Sequence, residues 1–343
     1  MMNAVRSDRR RTRVLALASA LAVAAAAAAN ASTYNIINIA VPGGGATDYH
    51  FAGAINDSGQ VILNDEVPNV AYNYTAVDDI YNIHTHVYTP LPSYPGSTAN
   101  STEVFDINNS GVMVGDYHAS GIQWGGFSLS GGVFAPAGFT SSSYNEPVTI
   151  SNDGKITGYY LDALQNSHGF LVSGGVTTTL DVPSSWASGT FGLGVNDAGT
   201  VVGAYTPLSG PAANAGFIDQ GGVFTQLSVP GFTNVLPYQI NDSGVIVGTA
   251  YNGAVGIGDT GFFDKGGIIS LFAVPGALGT DIFSIDANGD IAGTWYDAQG
   301  IDHAFVAIAG IPEPASWTMT FLGLLGVGAF LRRRRSALAG AGA

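Results

Sequence analysis

The sequence contains no cysteine among its 343 residues. Disulfide bonds and thiolate metal sites are therefore excluded, and the chain must be held together by core packing and by the way its ends are closed. No helical periodicity is present between residues 34 and 308, so no helical domain is expected there. About 280 residues lie between the terminal segments, enough to bury a large core.

Basic residues are nearly absent from the body of the chain. Of the 11 lysines and arginines, only Lys155 and Lys265 lie within residues 32–311, against 23 of the 25 acidic residues, a formal charge of −21 for this segment. Nucleic acids and anionic lipids are bound mainly through lysine and arginine, so neither is expected as a partner of the body. Divalent cations, or a polymer held through them, suit this charge. The simpler alternative is that acidity keeps an extracellular protein soluble.

Catalytic and phosphate-binding motifs are missing as well. The sequence has no Gly-x-Ser-x-Gly elbow, no Walker-type loop and no His-Glu-x-x-His helix, and no catalytic residues are predicted. His84 and His86 are spaced to lie on one face of a strand, as zinc ligands are. No third ligand accompanies them, and a surface or partly packed pair is the simpler interpretation.

Residues 1–31 have the pattern of a secretory signal peptide. A positive region with Arg6, Arg9, Arg10, Arg11 and Arg13 precedes an apolar run over residues 14–29. Ala29-Asn30-Ala31 then forms a small-x-small cleavage site. The pattern predicts a signal helix that is removed, leaving a mature chain that begins near Ser32; an uncleaved anchor is the alternative.

The C-terminus carries a second sorting pattern. Pro312, Glu313 and Pro314 precede an uncharged, mostly apolar run over residues 315–331, which is followed by Arg332, Arg333, Arg334 and Arg335 and a short tail over residues 336–343. As a helix the run would rise about 25 Å, slightly less than a hydrocarbon core of about 30 Å. A transmembrane helix is predicted over residues 315–331, with the arginines on the cytoplasmic side.

The order of these three parts resembles the PEP-CTERM sorting signal of Gram-negative bacteria, over residues 311–335. The resemblance implies handling by a membrane sorting enzyme, the exosortase, which would be a partner of this chain. An ordinary single-pass anchor is the alternative.

Residues 32–310 consist of repeats. A turn motif of the form Ile-Asn-Asp-Ser-Gly occurs six times, with its glycine at Gly59, Gly111, Gly154, Gly199, Gly244 and Gly289. The spacings are 52, 43, 45, 45 and 45 residues, the length of a four-stranded propeller blade. Asparagine, aspartate and glycine suit tight turns, and the flanking β-branched residues favour strands. Each motif therefore predicts a β-hairpin.

The remainder of each repeat predicts two further strands. A Gly-Phe pair, as in Gly216-Phe217, leads to a Gly-Gly turn, and Val-Pro follows seven residues later, as in Val229-Pro230. The proline is expected to end a strand, since it cannot donate to a ladder. The mature chain starts in mid-repeat and stops after the first strand of a repeat, near His303. The two ends therefore complete one another, which predicts a closed six-bladed β-propeller of four-stranded repeats of about 45 residues.

Glycine-rich units with His-Gly-Phe or His-Ala-Phe, at His168 and His303, followed by Asn-Asp-x-Gly resemble the HAF extracellular repeats over roughly residues 34–308. The matching positions of these two histidines in their repeats favour a role in the fold over catalysis.

Two candidate sites follow from the repeats. Asp286, Asn288 and Asp290 have the alternating oxygen ligands of a short calcium loop, but they lack the bidentate acid of an EF-hand and stand where five other repeats simply turn. The second candidate is an aromatic residue two positions after a glycine in four repeats, at Tyr117, Tyr160, Tyr205 and Trp295. Such rings stack on sugars, although packing between blades is the simpler explanation.

The sequence as a whole predicts an exported, non-catalytic protein of the cell envelope or extracellular matrix. The PEP-CTERM resemblance implies anchoring at the cytoplasmic membrane by the C-terminal helix before sorting, often in company with exopolysaccharide or biofilm. No cofactor is predicted, calcium excepted. The alternative is a propeller enzyme that acts on a glycan or lactone through carboxylates in the axial channel, which should break the repeat with buried ionisable residues near the axis.

Overall fold

The computed structural model describes residues 33–42, 49–69, 73–98, 101–119, 122–142, 144–253 and 258–310. Every helix-or-strand element in these ranges is a β-strand. The strands are β1 (Tyr34–Asn38), β2 (Tyr49–Ile55), β3 (Gln60–Asn69), β4 (Asn73–Asn82), β5 (Val87–Pro90), β6 (Thr102–Ile107), β7 (Met113–Ala119), β8 (Ile122–Ser130), β9 (Val133–Pro136), β10 (Asn145–Ile150), β11 (Ile156–Leu161), β12 (Ser167–Ser173), β13 (Val176–Leu180), β14 (Ala187–Val195), β15 (Thr200–Pro207), β16 (Ala215–Gln220), β17 (Val223–Leu227), β18 (Asn234–Ile240), β19 (Val245–Tyr251), β20 (Thr260–Lys265), β21 (Ile268–Phe272), β22 (Gly279–Ile285), β23 (Ile291–Tyr296) and β24 (Asp302–Ala309).

The strands form six antiparallel four-stranded sheets, the blades of a propeller. Blades 1 to 5 are β2–β5, β6–β9, β10–β13, β14–β17 and β18–β21, and blade 6 combines β22, β23, β24 and β1. The first strand of each blade contacts the first strand of the next, and β22 contacts β2. The sheets thus close into a ring around an axis lined by these six inner strands, which confirms the predicted six-bladed propeller.

Ring closure depends on the N-terminal strand. β1 is the outermost strand of blade 6, where Tyr34 lies opposite Ala309 and Asn38 lies opposite Phe305. Trp295 Nε1 also donates a hydrogen bond to Asn38 Oδ1, at 2.9 Å. A strand from one end of the body therefore covers the edge of a blade built from the other end, as the phase of the repeats predicted.

Each Asn-Asp-x-Gly segment is a tight hairpin between the first two strands of a blade. In blade 5, Asn241 Oδ1 accepts the N–H groups of Ser243 and Val245 at 3.1 and 3.0 Å. Gly244 has a φ of 74°, a left-handed conformation that glycine adopts without steric cost. The asparagine side chain therefore closes its own turn.

The amide nitrogens of these asparagines connect neighbouring blades. The Nδ2 atoms of Asn56, Asn108, Asn196 and Asn241 each donate to the carbonyl oxygen of the equivalent residue one blade further on, at 3.0–3.3 Å. These side chains are almost fully buried, where an unmade hydrogen bond is costly. The two blades without such an asparagine have Ser151 and Asp286 at this position.

The next residue of each turn makes a second ring of bonds, here called the turn belt; in blade 3 the donor is Asp153, one residue further on. The backbone N–H groups of Asp57, Asn109, Asp153, Asp197 and Ala287 donate to side-chain oxygens of the next blade's turn, on Asn109, Asn152, Asp197, Asp242 and Asp57 respectively. The donor–acceptor distances are 2.8–2.9 Å. Among the described residues the link from Asp242 to blade 6 is missing, because Ala287 has no side-chain acceptor.

In the blade cores, a large residue on the third strand packs against a glycine on the second strand. Phe127, Phe170, Phe217, Phe262 and Phe305, one in each of blades 2 to 6, are fully buried on the third strand. Each lies directly opposite a glycine of the second strand, as Phe217 lies opposite Gly203. A Cβ atom on Gly203 would lie 2.1 Å from the carbonyl oxygen of Phe191 and 2.7 Å from the Phe217 ring. In blade 1 the larger residue is on the second strand, where Leu63 lies opposite Asp79 of the third strand.

Two local expectations differ from the structure. The fourth strands end two residues before Val-Pro, at Leu180, Leu227 and Phe272, because the valine of each pair is buried in the core between blades instead of pairing in the sheet. His84 and His86 lie in the turn between β4 and β5, and His86 has a φ of 58°. Their predicted placement on one face of a strand is wrong.

Supplying the missing acceptor of the turn belt should stabilise the protein. We expect Ala287→Asn to raise the free energy of unfolding by about 1 kcal/mol, since its side chain would accept the Asp242 N–H. Asparagine avoids a further charge beside Asp57. Ala198→Asn is the matched control, because Ala198 is an exposed turn residue at a position outside the belt. Urea denaturation would measure both, and equal changes in the two variants would contradict the assignment.

Filling the space opposite a core phenylalanine should be costly. We expect Gly203→Ala to lower the free energy of unfolding by about 3 kcal/mol or more, because the backbone oxygen that its Cβ meets belongs to the adjacent strand. Gly222→Ala, at a φ of 89° with open space around it, should cost about 1–2 kcal/mol of backbone strain alone. Chemical denaturation compares the two, and a smaller loss at Gly203 would refute the steric argument.

Candidate functional site

The six inner strands share a β-bulge at one register position. The ladder between first and second strand skips Gly53, Phe105, Val148, Leu193, Tyr238 and Phe283, one residue in each blade. A bulge leaves its extra residue unpaired and re-aims its side chain. These positions are half-buried because they line a cavity on the axis, and their neighbours in the strand are buried except for Gln239, which is also half-buried.

This axial cavity has a volume of about 150 Å³. Its wall is formed by the five bulge side chains together with Phe51, and by Asn64, Asp106, Thr149 and Gln239. Phe283 meets Phe51 edge to face at 5.8 Å between ring centroids and Tyr238 at 5.1 Å. Four aromatic rings, including Phe105, thus surround a space with a small polar sector.

Asp106 and Gln239 separate the axial cavity from the mouth formed by the six hairpin turns, since both residues line both spaces. Asp106 Oδ2 accepts the N–H of Ile150 at 2.9 Å and lies 3.5 Å from Gln239 Nε2 across the ring. Burial raises the pKa of Asp106 to about 6, although these hydrogen bonds work in the opposite direction. The carboxylate is 4% exposed and has only neutral hydrogen-bond donors.

Further acids occupy the inner strands one pair beyond the bulge. Phe51, Phe191 and Leu236 fill this register position in three blades, and Glu103, Glu146 and Asp281 fill it in the others. Glu146 Oε2 accepts hydrogen bonds from the hydroxyls of Tyr159 and Tyr144, at 2.6 and 2.9 Å. Removal from solvent raises the pKa of Glu146 despite these bonds.

Asp281 pairs with a second buried acid between blades 5 and 6. Both Asp281 and Asp259 are 3% exposed. Burial, followed by the neighbouring charge of Asp259, raises the pKa of Asp281 to about 7. Two adjacent carboxyl groups that cannot both ionise share a proton. Tyr238, which lines the axial cavity, has its pKa raised by burial and then by Asp281. The axis therefore does break the repeat with buried ionisable groups.

The sequence reasoning missed Asp106, Gln239 and the aromatic lining. The apolar lining could have been recognised from the residue two positions before the isoleucine or valine of each turn motif, which is apolar in five repeats. Nothing in the linear pattern indicates that Asp106 and Gln239, 133 residues apart, meet across the axis.

The predicted calcium residues lie in the hairpin of blade 6. Asp286 Oδ1 accepts the Asp290 N–H at 2.8 Å, Asp286 Oδ2 accepts a bond from Asn288 Nδ2 at 3.0 Å, and Asp290 Oδ1 accepts the Ala309 N–H at 2.7 Å. Burial raises the pKa of Asp286 to about 6. These oxygens hold the turn and the end of β24. Within the described ranges no cluster of three or more acidic or histidine side chains is arranged to hold a metal ion, and calcium binding stays a prediction.

The four predicted stacking residues each contact a ring. Tyr117 stacks on Tyr94 at 3.6 Å and Tyr160 on Phe139 at 3.8 Å between centroids. In the other two blades, Tyr205 lies 5.8 Å from Trp186 and Trp295 lies 4.4 Å from His303. The partners Tyr94, Phe139 and Trp186 come from the connection that enters the blade. Tyr117, Tyr160 and Trp295 therefore each have a ring face covered within the protein. Tyr205 is tilted against Trp186 and buried. Sugar stacking stays a prediction.

The two histidines of the HAF-like units anchor the loop between the second and third strands. His303 Nε2 lies 3.1 Å from Asp297 Oδ2, and His168 Nε2 lies 3.4 Å from Asp162 Oδ2. In blade 3 the other ring nitrogen of His168 lies 2.9 Å from Asp181. Asp162 and Asp297 also accept backbone N–H groups of their own loops. The arrangement has the form of a loop clamp.

The predicted sorting residues belong to the two ends of the chain, beyond the ranges that the structure describes. Ala29, Ala31, Pro312, Glu313, Pro314 and Arg332 to Arg335 all lie outside the described residues, as does the predicted helix over 315–331. Among residues that the structure does describe, no helix has the length and apolar character needed to cross a bilayer.

No family model matches the chain, and no curated protein matches it. Solved structures resemble it in fold at low identity. A protein of unknown function from Dyadobacter fermentans DSM 18053 is 11% identical, with 80% of this chain and 98% of that chain covered and a TM-score of 0.51. The β-propeller domain of the Trilobed protease from Pyrococcus furiosus is 11% identical, covering 76% and 93%, with a TM-score of 0.46. The lectin of Aleuria aurantia is 11% identical, covering 82% and 98%, with a TM-score of 0.46. These similarities concern the fold alone.

The loop clamp of blade 3 should depend on pH. Partial burial lowers the pKa of His168, but contacts with Asp181 and Asp162 outweigh it and raise that pKa overall. The pKa of Asp162 is lowered to about 2, mainly by Asn166 and with a contribution from His168. Because the pKa of His168 is higher in the folded state, its contacts stabilise the fold fully below the unfolded pKa of about 6.5. This stabilisation is lost as the pH rises through the folded pKa. The lowered pKa of Asp162 contributes stability to the fold above the unfolded aspartate pKa of about 4.

We therefore expect His168→Ala to lower the melting temperature more at pH 5.5 than at pH 8.5. Thermal unfolding followed by circular dichroism measures the difference. His84→Ala, in the exposed turn of blade 1, is the matched control. A loss for His168→Ala that is the same at both pH values would exclude the charged pair as its cause.

Proposed function

We propose that this protein is an exported, non-catalytic propeller of the cell envelope or extracellular matrix. It is delivered through the PEP-CTERM-like signal and associates with exopolysaccharide or biofilm. The sorting residues are Pro312, Glu313, Pro314 and Arg332 to Arg335, and an exosortase is the enzyme that handles them. Before sorting, the C-terminal helix holds the chain at the cytoplasmic membrane.

The observation that carries this proposal is the order of segments along the chain. The ring of blades runs from β1, which begins at Tyr34, to β24, which ends at Ala309. Cleavage after Ala31 would leave β1 whole, and cleavage near Pro312 would leave β24 whole. Both processing events are therefore compatible with an intact propeller, and the pairing of β1 with β24 holds the body closed without disulfides.

The use of the acids inside the body also supports a non-catalytic role. The side chains of Asp219 and Asp264 accept the N–H groups of Gly222 and Gly267 in the Gly-Gly turns. Asp78 bridges blades 1 and 2 through Asn64 and Val104. Many carboxylates of this acidic chain therefore serve local structure.

A second candidate is favoured by one observation, the acids that break the repeat at the axis. A glycan-acting or lactone-acting enzyme would use a carboxyl group with a raised pKa as a general acid. Asp281 beside Asp259 has that character. Loss of a hydrolytic activity in Asp281→Asn, with the fold retained, would select this function over the first.

Processing at the two signals is tested by the intact mass of protein recovered from the envelope and medium of a native host. We expect the wild-type chain to begin near Ser32 and end near Pro312, and Glu313→Ala to keep its C-terminal tail. Ser316→Ala is the matched control, because it leaves the Pro-Glu-Pro segment, the apolar run and the arginines in place. A mature wild-type form that retains Arg332 to Arg335 would exclude processing and leave a permanently anchored propeller.

A further inference from the structure

The lining of the axial cavity combines aromatic rings with one acid that has no basic partner. Phe51, Phe105, Tyr238 and Phe283 supply ring surface from four blades. Asp106 lies in the polar sector between this cavity and the turn mouth. A ring face carries negative charge density, and a carboxylate carries a full charge, so both groups attract the same kind of ligand.

No basic residue of the described body neutralises Asp106. Lys155 contacts Asp153 and donates to the carbonyl oxygen of Asp197 at 2.8 Å, among the hairpin turns. Lys265 is exposed at the end of β20. The bonds of Asp106 to Ile150 and Gln239 are to neutral groups, so its charge is solvated only in part.

The chemistry of the wall distinguishes between classes of cation. Calcium requires six to eight oxygen ligands, and magnesium an octahedron of them. The wall of this cavity is mostly carbon, with a single carboxylate. Ammonium groups that carry methyl groups are weakly hydrated and are recognised by aromatic faces. The volume of about 150 Å³ equals that of a cavity that admits benzene, and a trimethylammonium group is similar in size.

The charge around the cavity acts in the same direction. Glu103, Glu146 and Asp281 occupy the register position of the inner strands one pair beyond the bulge. The body carries a formal charge of −21. A negative potential over the entrance to a cleft raises the local concentration of cations.

We propose that the axial cavity is a binding site for a small organic cation, in which the rings of Phe51, Phe105, Tyr238 and Phe283 surround an alkylated ammonium group and Asp106 supplies the opposite charge. The site is independent of the sorting signal. It therefore goes beyond the proposed function and does not depend on it.

The test uses the full chain, purified in a non-ionic detergent, with choline as the probe and calorimetry as the measurement. Its neutral isostere, 3,3-dimethyl-1-butanol, has the same shape without the charge. We expect choline to bind the wild-type chain at least tenfold more tightly than the isostere. Asp106→Asn should weaken choline binding at least tenfold while leaving the isostere unchanged. Asp264→Asn is the matched control, since it removes a buried acid of β20 that does not line the cavity, and it should bind choline as the wild type does.

Three results would overturn the proposal: no binding of choline, equal affinity for choline and the neutral isostere, or unchanged choline affinity in Asp106→Asn. A fourth is displacement of bound choline by calcium chloride at a concentration below that of the choline present. If Asp106→Asn does not fold, Phe283→Leu decides the question. It removes one ring and keeps the carboxylate, and its choline affinity should fall severalfold; an affinity equal to that of the wild type would refute the aromatic cage. These results are obtained on the purified chain, so they are separate from the outcome of the processing experiment.

Discussion

Four of the six hairpin turns around the axis use one asparagine side chain twice. In Asn241 the oxygen closes its own turn through Ser243 and Val245, and the nitrogen donates to the carbonyl of Asp286 in the next blade. Local and long-range structure are therefore joined in one buried amide group. A turn that forms correctly also presents the donor that the neighbouring blade requires, so the formation of each hairpin and the docking of the next blade support one another.

This coupling accounts for a stable ring without disulfide bonds. The turn belt adds backbone N–H donors from one blade and side-chain acceptors from the next, and β1 supplies the last outer strand of blade 6. Away from the axis, a phenylalanine on the third strand fills the space left by a glycine on the second strand. Polar bonds at the inner edge thus fix the spacing of the blades, and the phenylalanine rings fill the space within them.

The properties that were predictable from the sequence are those that repeat. The spacing of Gly154, Gly199 and Gly244 gives the blade length, and the phase of the first and last repeats predicts closure by β1. The axis was not predictable in the same way, because the bulge residue differs from blade to blade and its neighbours come from distant repeats. The partners of Tyr160 and Tyr205 were also hidden, since Phe139 and Trp186 lie in connections whose course follows only from the folded ring. The terminal signals are independent of the fold, and their interpretation depends on local sequence alone.

The fold does not require an acid at the position of Asp106. The equivalent register position holds Ala54, Thr149, Gly194 and Ser284 in other blades, so small neutral residues satisfy the same backbone. Burial of a carboxylate without a basic partner costs stability, and the raised pKa of Asp106 reflects that cost. Gln239 is the other long side chain in this ring of positions, and it lies opposite Asp106 across the axis. The repeated residues therefore maintain the ring. The residues that depart from the repeat place ionisable and aromatic groups on the axis, where six blades meet and a ligand would contact all of them.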